Sequence, residues 1–179
     1  MVELMVVIII MAILGLAIIP ALMGSSDKAK YSRAWSDLTA ISNAFTAFYG
    51  RVGNLPDVSI DETGAWTLAP GEGSEWTNAG ITDETKAEAL LQSFLGTPLD
   101  EIEDPWGNPY QLAGNWNSDT GKGHIIVYVK PGTGTGDGAS ASFGTGISVN
   151  AKKDPYNDDM PMAKLVINVP TGTGEETGD

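Results

Sequence analysis

The stretch VELMVVIIIMAILGLAIIPALM, Val2–Met23, decides how this chain is read. From Leu4 to Met23 it carries no charge, yet a carboxylate, Glu3, stands at its head. A bilayer core takes about 20 apolar residues at 1.5 Å rise each, so the run is long enough to span one. A carboxylate drawn to the bilayer centre costs roughly 2.5–3.5 kcal/mol, and charges kept in such places usually serve a partner. The first basic residue is Lys28. The partner of Glu3 is therefore the chain's own amino terminus, the lipid interface or another molecule. A secretory signal fits poorly, because such a signal opens with basic residues and has a shorter apolar core.

The segment that follows is amphipathic. Tyr31, Ala34, Trp35, Leu38, Ile41, Phe45, Phe48, Tyr49 and Val52 recur at steps of three and four, the stripe of a helix with one buried face. Gly24-Ser25-Ser26 weakens the helix without clearly stopping it; Gly50 and Gly53-Asn54, followed by Pro56, supply the stop. A continuous helix over this span is on the order of 70 Å long. The expected organisation is an apolar membrane or filament-core helix over 1–26, its amphipathic continuation over 27–53, and a globular head over 54–179. Gly15 and Pro20 interrupt the oily half. Proline removes a backbone donor and clashes with the preceding turn, so this stretch is either tolerated as in many membrane helices or able to open.

Glu3, Gly15 and Pro20, followed by an amphipathic helix, resemble the N-terminus of type IV pilins and of type II secretion pseudopilins. The spacing from Glu3 to Pro20 is that of the family. The resemblance implies a leader removed by a prepilin peptidase, an N-methylated first residue, and a glutamate at the fifth mature position. Glu3 is third here, so two residues of that pattern are not found ahead of it. It further implies that Glu3 neutralises a neighbour's amino terminus during assembly, and that the segment around Gly15 and Pro20 loses helical bonds as helices bundle. A second match, DPWGNPYQL at Asp104–Leu112, resembles the segment entering the sheet of the major pseudopilin. Alone, it reads as a rigid corner: Pro105 and Pro109 bracket the turn pair Gly107-Asn108, with Trp106 and Tyr110 as anchors.

The head reads as α+β, a small antiparallel sheet against the long helix. Residues 54–81 look loop-like, with Trp66 and Trp76 isolated. Thr82 is the expected cap of a helix over 82–95, with Asp83 and Glu84 in its first turn and Gly96 ending it. Strands are expected at Tyr110–Leu112, His124–Lys130, Gly146–Asn150 and Lys164–Val169. The glycine-rich PGTGTGDGASASFGTG reads as a long surface connection, and 171–179 as a polar tail.

Charge and composition exclude several functions. The chain has 179 residues, no cysteine and a net charge of −13. Residues 1–51 hold four basic and three acidic side chains, net +1; the remaining six basic and twenty acidic give −14. An acidic head repels phosphate backbones, so it does not bind nucleic acid. His124 is the only histidine and is expected at a sheet edge. No nucleophile motif or phosphate loop accompanies the carboxylates, so the chain reads as no enzyme. Asp154, Asn157, Asp158 and Asp159 lie within six positions. Hard oxygen ligands of this kind suit calcium, which pseudopilin heads resembling this one hold in a C-terminal loop; the spacing matches no EF-hand, and a solvated acidic turn is the other reading. No cofactor is otherwise required.

The expected function is a structural subunit of a helical extracellular filament. It is anchored in the membrane through 1–23, handled by an inner-membrane assembly platform, and then polymerised into a cell-surface fibre for adhesion, motility or uptake. The alternative is a pseudopilin of type II secretion in a periplasmic pseudopilus. A third reading is an anchored binding domain that never polymerises.

Overall fold

The first helix stops where a residue can turn left-handed. Gly53 has φ +84° and its N–H donates to the Tyr49 carbonyl at 2.7 Å, closing the last turn. Gly50, expected to share the stop, lies inside the helix instead. The computed structural model describes residues 2–60, 66–98, 101–134, 136–143 and 147–169, and within 15–24 the backbone alone. In chain order the described elements are α1 (Val2–Val52), β1 (Asp57–Ile60), β2 (Trp66–Ala69), α2 (Ser74–Asn78), α3 (Glu84–Leu95), β3 (Gln111–Gly114), β4 (Gly123–Tyr128), β5 (Gly138–Ser142), β6 (Ser148–Asp154), β7 (Met160–Pro161) and β8 (Ala163–Val169).

The strands form a hairpin, β1-β2, and two antiparallel sheets, ordered β3-β4-β8 and β5-β6-β7. Helix and antiparallel sheets together give the expected α+β class. The amphipathic stripe of α1 packs as its spacing predicts: Ala34, Leu38, Ile41, Phe45, Phe48 and Val52 are buried. They meet Ile125, Val127 and Val129 of the β4 segment and Leu91 of α3 in one cluster. Ile126 joins a second cluster with Ala141, Val149, Ala151 and Ala163. Strand β4 is thus covered on both faces, which explains its unbroken apolar run.

Several expectations need correction. Residues 54–81 are not plain loop, since β1 pairs with β2 from Asp57↔Ala69 to Ile60↔Trp66 and α2 follows. Trp66 and Trp76 are core residues, each packing near a phenylalanine of α1. The glycine-rich connection contains β5, whose Ala141 faces the second cluster while Ser140 and Ser142 face out. Its small side chains give little hydrophobic signal, and pairing with β6 makes it a strand. The cap of α3 is Asp83, whose carboxylate accepts the Lys86 N–H at 3.0 Å; Thr82 donates its hydroxyl to that carboxylate instead. An aspartate one residue closer to the first turn displaces threonine because its oxygens reach the free N–H.

Candidate assembly surface

Every large apolar side chain described from Val2 to Leu14 is exposed, from 49 % at Val6 to 75 % at Val2. Water tolerates single exposed apolar residues, but a contiguous band of this size marks contact with protein or lipid. Glu3 is exposed within it. Lys28 lies twenty-five residues further on, about 37 Å along a helix, far beyond ion-pair reach. Gly15 and Pro20 fall where only the backbone is described, and that backbone belongs to α1; the expected opening there is not addressed by any described side chain. Among the described residues no helix is long and apolar enough to cross a membrane; residues 15–24, inside the expected span, are outside that statement.

The proline-bracketed corner fastens the head to α1. Its organiser is Asp104, 3 % exposed, whose Oδ1 accepts the N–H groups of Trp106 and Asn108, each at 2.9 Å. Gly107 at φ +79° completes the turn, donating to the Asp104 carbonyl at 3.0 Å. Tyr110, fully buried, donates its hydroxyl to Asp37 on α1 at 3.0 Å. Burial, then the Asp37 charge, push the Tyr110 pKa far up, so it remains a donor.

The acidic loop after β6 is tied to the same helix. Trp35 donates its indole N–H to Asp154 Oδ2 at 2.8 Å, and Asp154 Oδ1 accepts the Tyr156 N–H at 3.0 Å. Tyr31 packs edge-on against Trp106 and Tyr156, with ring centroids 4.9 and 5.5 Å away. Lys152 lies over the Trp106 ring at 4.8 Å and pairs with Asp137 at 2.6 Å. Burial alone would raise the Asp137 carboxyl, but the Lys152 ammonium and the Gly132 N–H hold it below its ordinary value.

The four residues proposed for calcium do not converge. Asp154 is buried and spends both carboxylate oxygens on protein donors, whereas Asn157, Asp158 and Asp159 are exposed. The Asn157 amide reaches toward the Met160 sulfur at 3.6 Å. Asp158 and Asp159 have φ of 49° and 53°, the left-handed region that aspartate tolerates in turns. Among the described residues no three His, Cys, Asp or Glu side chains are grouped to hold a metal. His124 is not at an edge: β4 is the central strand, and the imidazole is buried with Nε2 lacking a described partner. Burial pushes its pKa down.

Neither a family model nor a solved structure matches this chain. A curated relative does: the type II secretion system core protein G of Aeromonas hydrophila is 32 % identical over 111 residues, covering 62 % of this chain and 67 % of that protein. The chain belongs to the type II secretion system core protein G family. The family's protein from Klebsiella michiganensis is 30 % identical over 110 residues, 62 % of this chain and 68 % of the relative. That from Vibrio cholerae is 29 % identical over 126 residues, 70 % and 73 %. The resemblance drawn from Glu3, Pro20 and the proline-bracketed corner is borne out at the level of the family.

For this core protein G family member, sequence reasoning missed the residues that join head to helix. Asp37 and Trp35 act across long separations in sequence, meeting Tyr110 and Asp154, and Lys152 braces Trp106 and Asp137 within the head. The one local signal was Asp104 itself, an aspartate two residues before a turn N–H, the pattern of a side chain bonding its own following backbone.

Proposed function

We propose that this protein is the repeating subunit of a pilin-like pseudopilus of the type II secretion kind. The observation that carries the reading is the exposed apolar end of α1 with a lone carboxylate, in a chain of the core protein G family. Before assembly the apolar segment over 1–23 rests in the inner membrane, held there until a platform extracts it. In the filament the same segments pack together and bury their surface, each Å² contributing about 25 cal/mol. Glu3 docks against the amino terminus of a neighbouring subunit. Two opposite charges about 4 Å apart attract by roughly 4 kcal/mol at an effective dielectric of 20, which offsets the cost of carrying a carboxylate among apolar helices. The backbone near Gly15 and Pro20 opens as the helices close up, because proline leaves one carbonyl without its helical donor.

The structural module β5-β6-β7, covering the outer face of the main sheet, favours a second reading, a surface fibre with a thickened rind. The test is removal of the gene, with protein export and filaments both followed. The pseudopilus reading expects lost export and short filaments of this protein on overproduction. Long surface fibres with export intact would select the second reading. An inserted chain that never polymerises would leave the anchored binding domain.

A further inference from the structure

Positive charge is scarce on this chain: among the described residues Lys28, Lys30, Arg51, Lys122, Lys130 and Lys153 make no side-chain hydrogen bond or ion pair, and of these Lys28 and Lys30 are the two on α1 nearest its apolar end. Both are exposed. A short distance further along the helix lies an open groove of about 200 Å³. Ala40, Ile41, Leu95 and Ile102 are its apolar lining, and its charged groups are Asp37, Glu101, Glu103 and Arg33. Among the described residues, three carboxylates against one guanidinium leave the groove at −2. Arg33 is already held by Asp37 at 3.5 Å, so Glu101 and Glu103 face outward without a cation among the described residues.

Lys28 and Lys30 cannot serve the groove of their own chain. Asp37 lies seven to nine residues beyond them, about 10–14 Å along the axis, while an ion pair needs contact near 4 Å. A parallel second copy, slid along the axis by that distance, brings its lysines level with the groove. We propose that this groove receives Lys28 and Lys30 of a neighbouring copy of the chain, with Glu101 and Glu103 as the paired acids. This rests on the filament reading above and adds to it a register. Two ammonium groups balance a groove of −2, and they lie on the same helix that presents the apolar band, so the two contacts are continuous. A head region carrying −14 repels its neighbours, so the placement of the few cations decides which faces meet. Exposed pairs of this kind contribute modestly to affinity and more to orientation.

The full-length chain, assembled in cells, supplies the test. Lys28→Glu with Lys30→Glu is expected to reduce filaments at least tenfold, and adding Glu101→Lys with Glu103→Lys is expected to restore them. All four positions are exposed, so the fold is spared. Because the chain has no cysteine, a Lys30→Cys, Glu103→Cys variant is expected to give a disulfide ladder of copies on oxidation, and Lys30→Cys alone no ladder. Charge-reversed filaments in normal number, or no ladder from filaments that form normally, would overturn the proposal and leave the filament reading standing. Loss of membrane association without rescue by the swap would overturn it in favour of an anionic lipid surface as the lysines' partner. Failure of the unaltered chain to assemble would overturn both.

Discussion

Trp35 and Asp154, separated by 119 residues of chain, meet through a 2.8 Å hydrogen bond that ties the acidic loop to α1. The acceptor is a buried carboxylate, so removing either partner leaves the other unsatisfied. Asp154→Ala is expected to cost about 1.5–3 kcal/mol, the range for hydrogen bonds to charged groups. Trp35→Phe keeps most of the ring packing and should cost less. Thermal melts of the two single variants and the double should be non-additive, and strict additivity would mean the bond contributes nothing.

The same commitment of Asp154 sets the response to calcium. Melting in calcium and in chelator is expected to coincide, because the ligand a cage most needs already accepts from Trp35 and Tyr156. A metal bound at a hundredfold excess over Kd would instead raise stability by about 2.7 kcal/mol. Such a rise, abolished by Asp158→Ala with Asp159→Ala, would establish the calcium loop.

Tyr110→Phe deletes one hydroxyl and leaves the corner's packing intact. The Asp37 carboxylate then loses its buried donor while keeping Arg33. A loss of about 1–3 kcal/mol is expected. Hydrogen exchange should locate it, with Trp106–Leu112 amides exchanging faster and α3 unchanged.

Stability is expected to fall on acidification in two steps. His124 has a folded pKa depressed by burial below 6.5, so its contribution is complete above that value and is lost as pH falls toward the folded one. Asp137 is depressed below 3.8 once burial is outweighed by Lys152 and the Gly132 N–H; its contribution persists above 3.8 and drains away below it. Melting temperature against pH should therefore lose its upper step in His124→Gln, while its lower step should shrink in Asp137→Asn, the capping Asp83 carboxyl, also held below 3.8 by the Lys86 N–H, accounting for the remainder. An unchanged profile in both variants would refute the assignment.

Glu3→Gln is expected to leave membrane insertion intact or improved, since the change removes a charge from an apolar band. Filament number should fall on the order of tenfold, about 1.4 kcal/mol of lost docking. Normal filaments in normal number would remove the pairing role.

Much of this was legible in the order of residues. Apolar steps of three and four from Tyr31 to Val52 announce the buried face of α1, and Gly53 its end, because helix period and left-handed turns are local properties. The β-branched runs of β4 and β8, the helix over 84–95 and the family were legible for the same reason. The corner at Asp104–Leu112 was recognised by its prolines, yet its organiser, the Asp104 carboxylate, shows only when the turn is closed.

Pairing, by contrast, was settled by the packing of the whole chain. Strand β5 is built of glycine, alanine and serine, residues with no strand signal of their own, and it exists because β6 supplies its hydrogen bonds. The central place of His124, the role of Trp66 and Trp76 in the core, and the bond from Trp35 to Asp154 depend on partners scores of residues away. Periodicity is written into neighbouring residues, but the choice among equally plausible distant partners is made only when the whole chain packs.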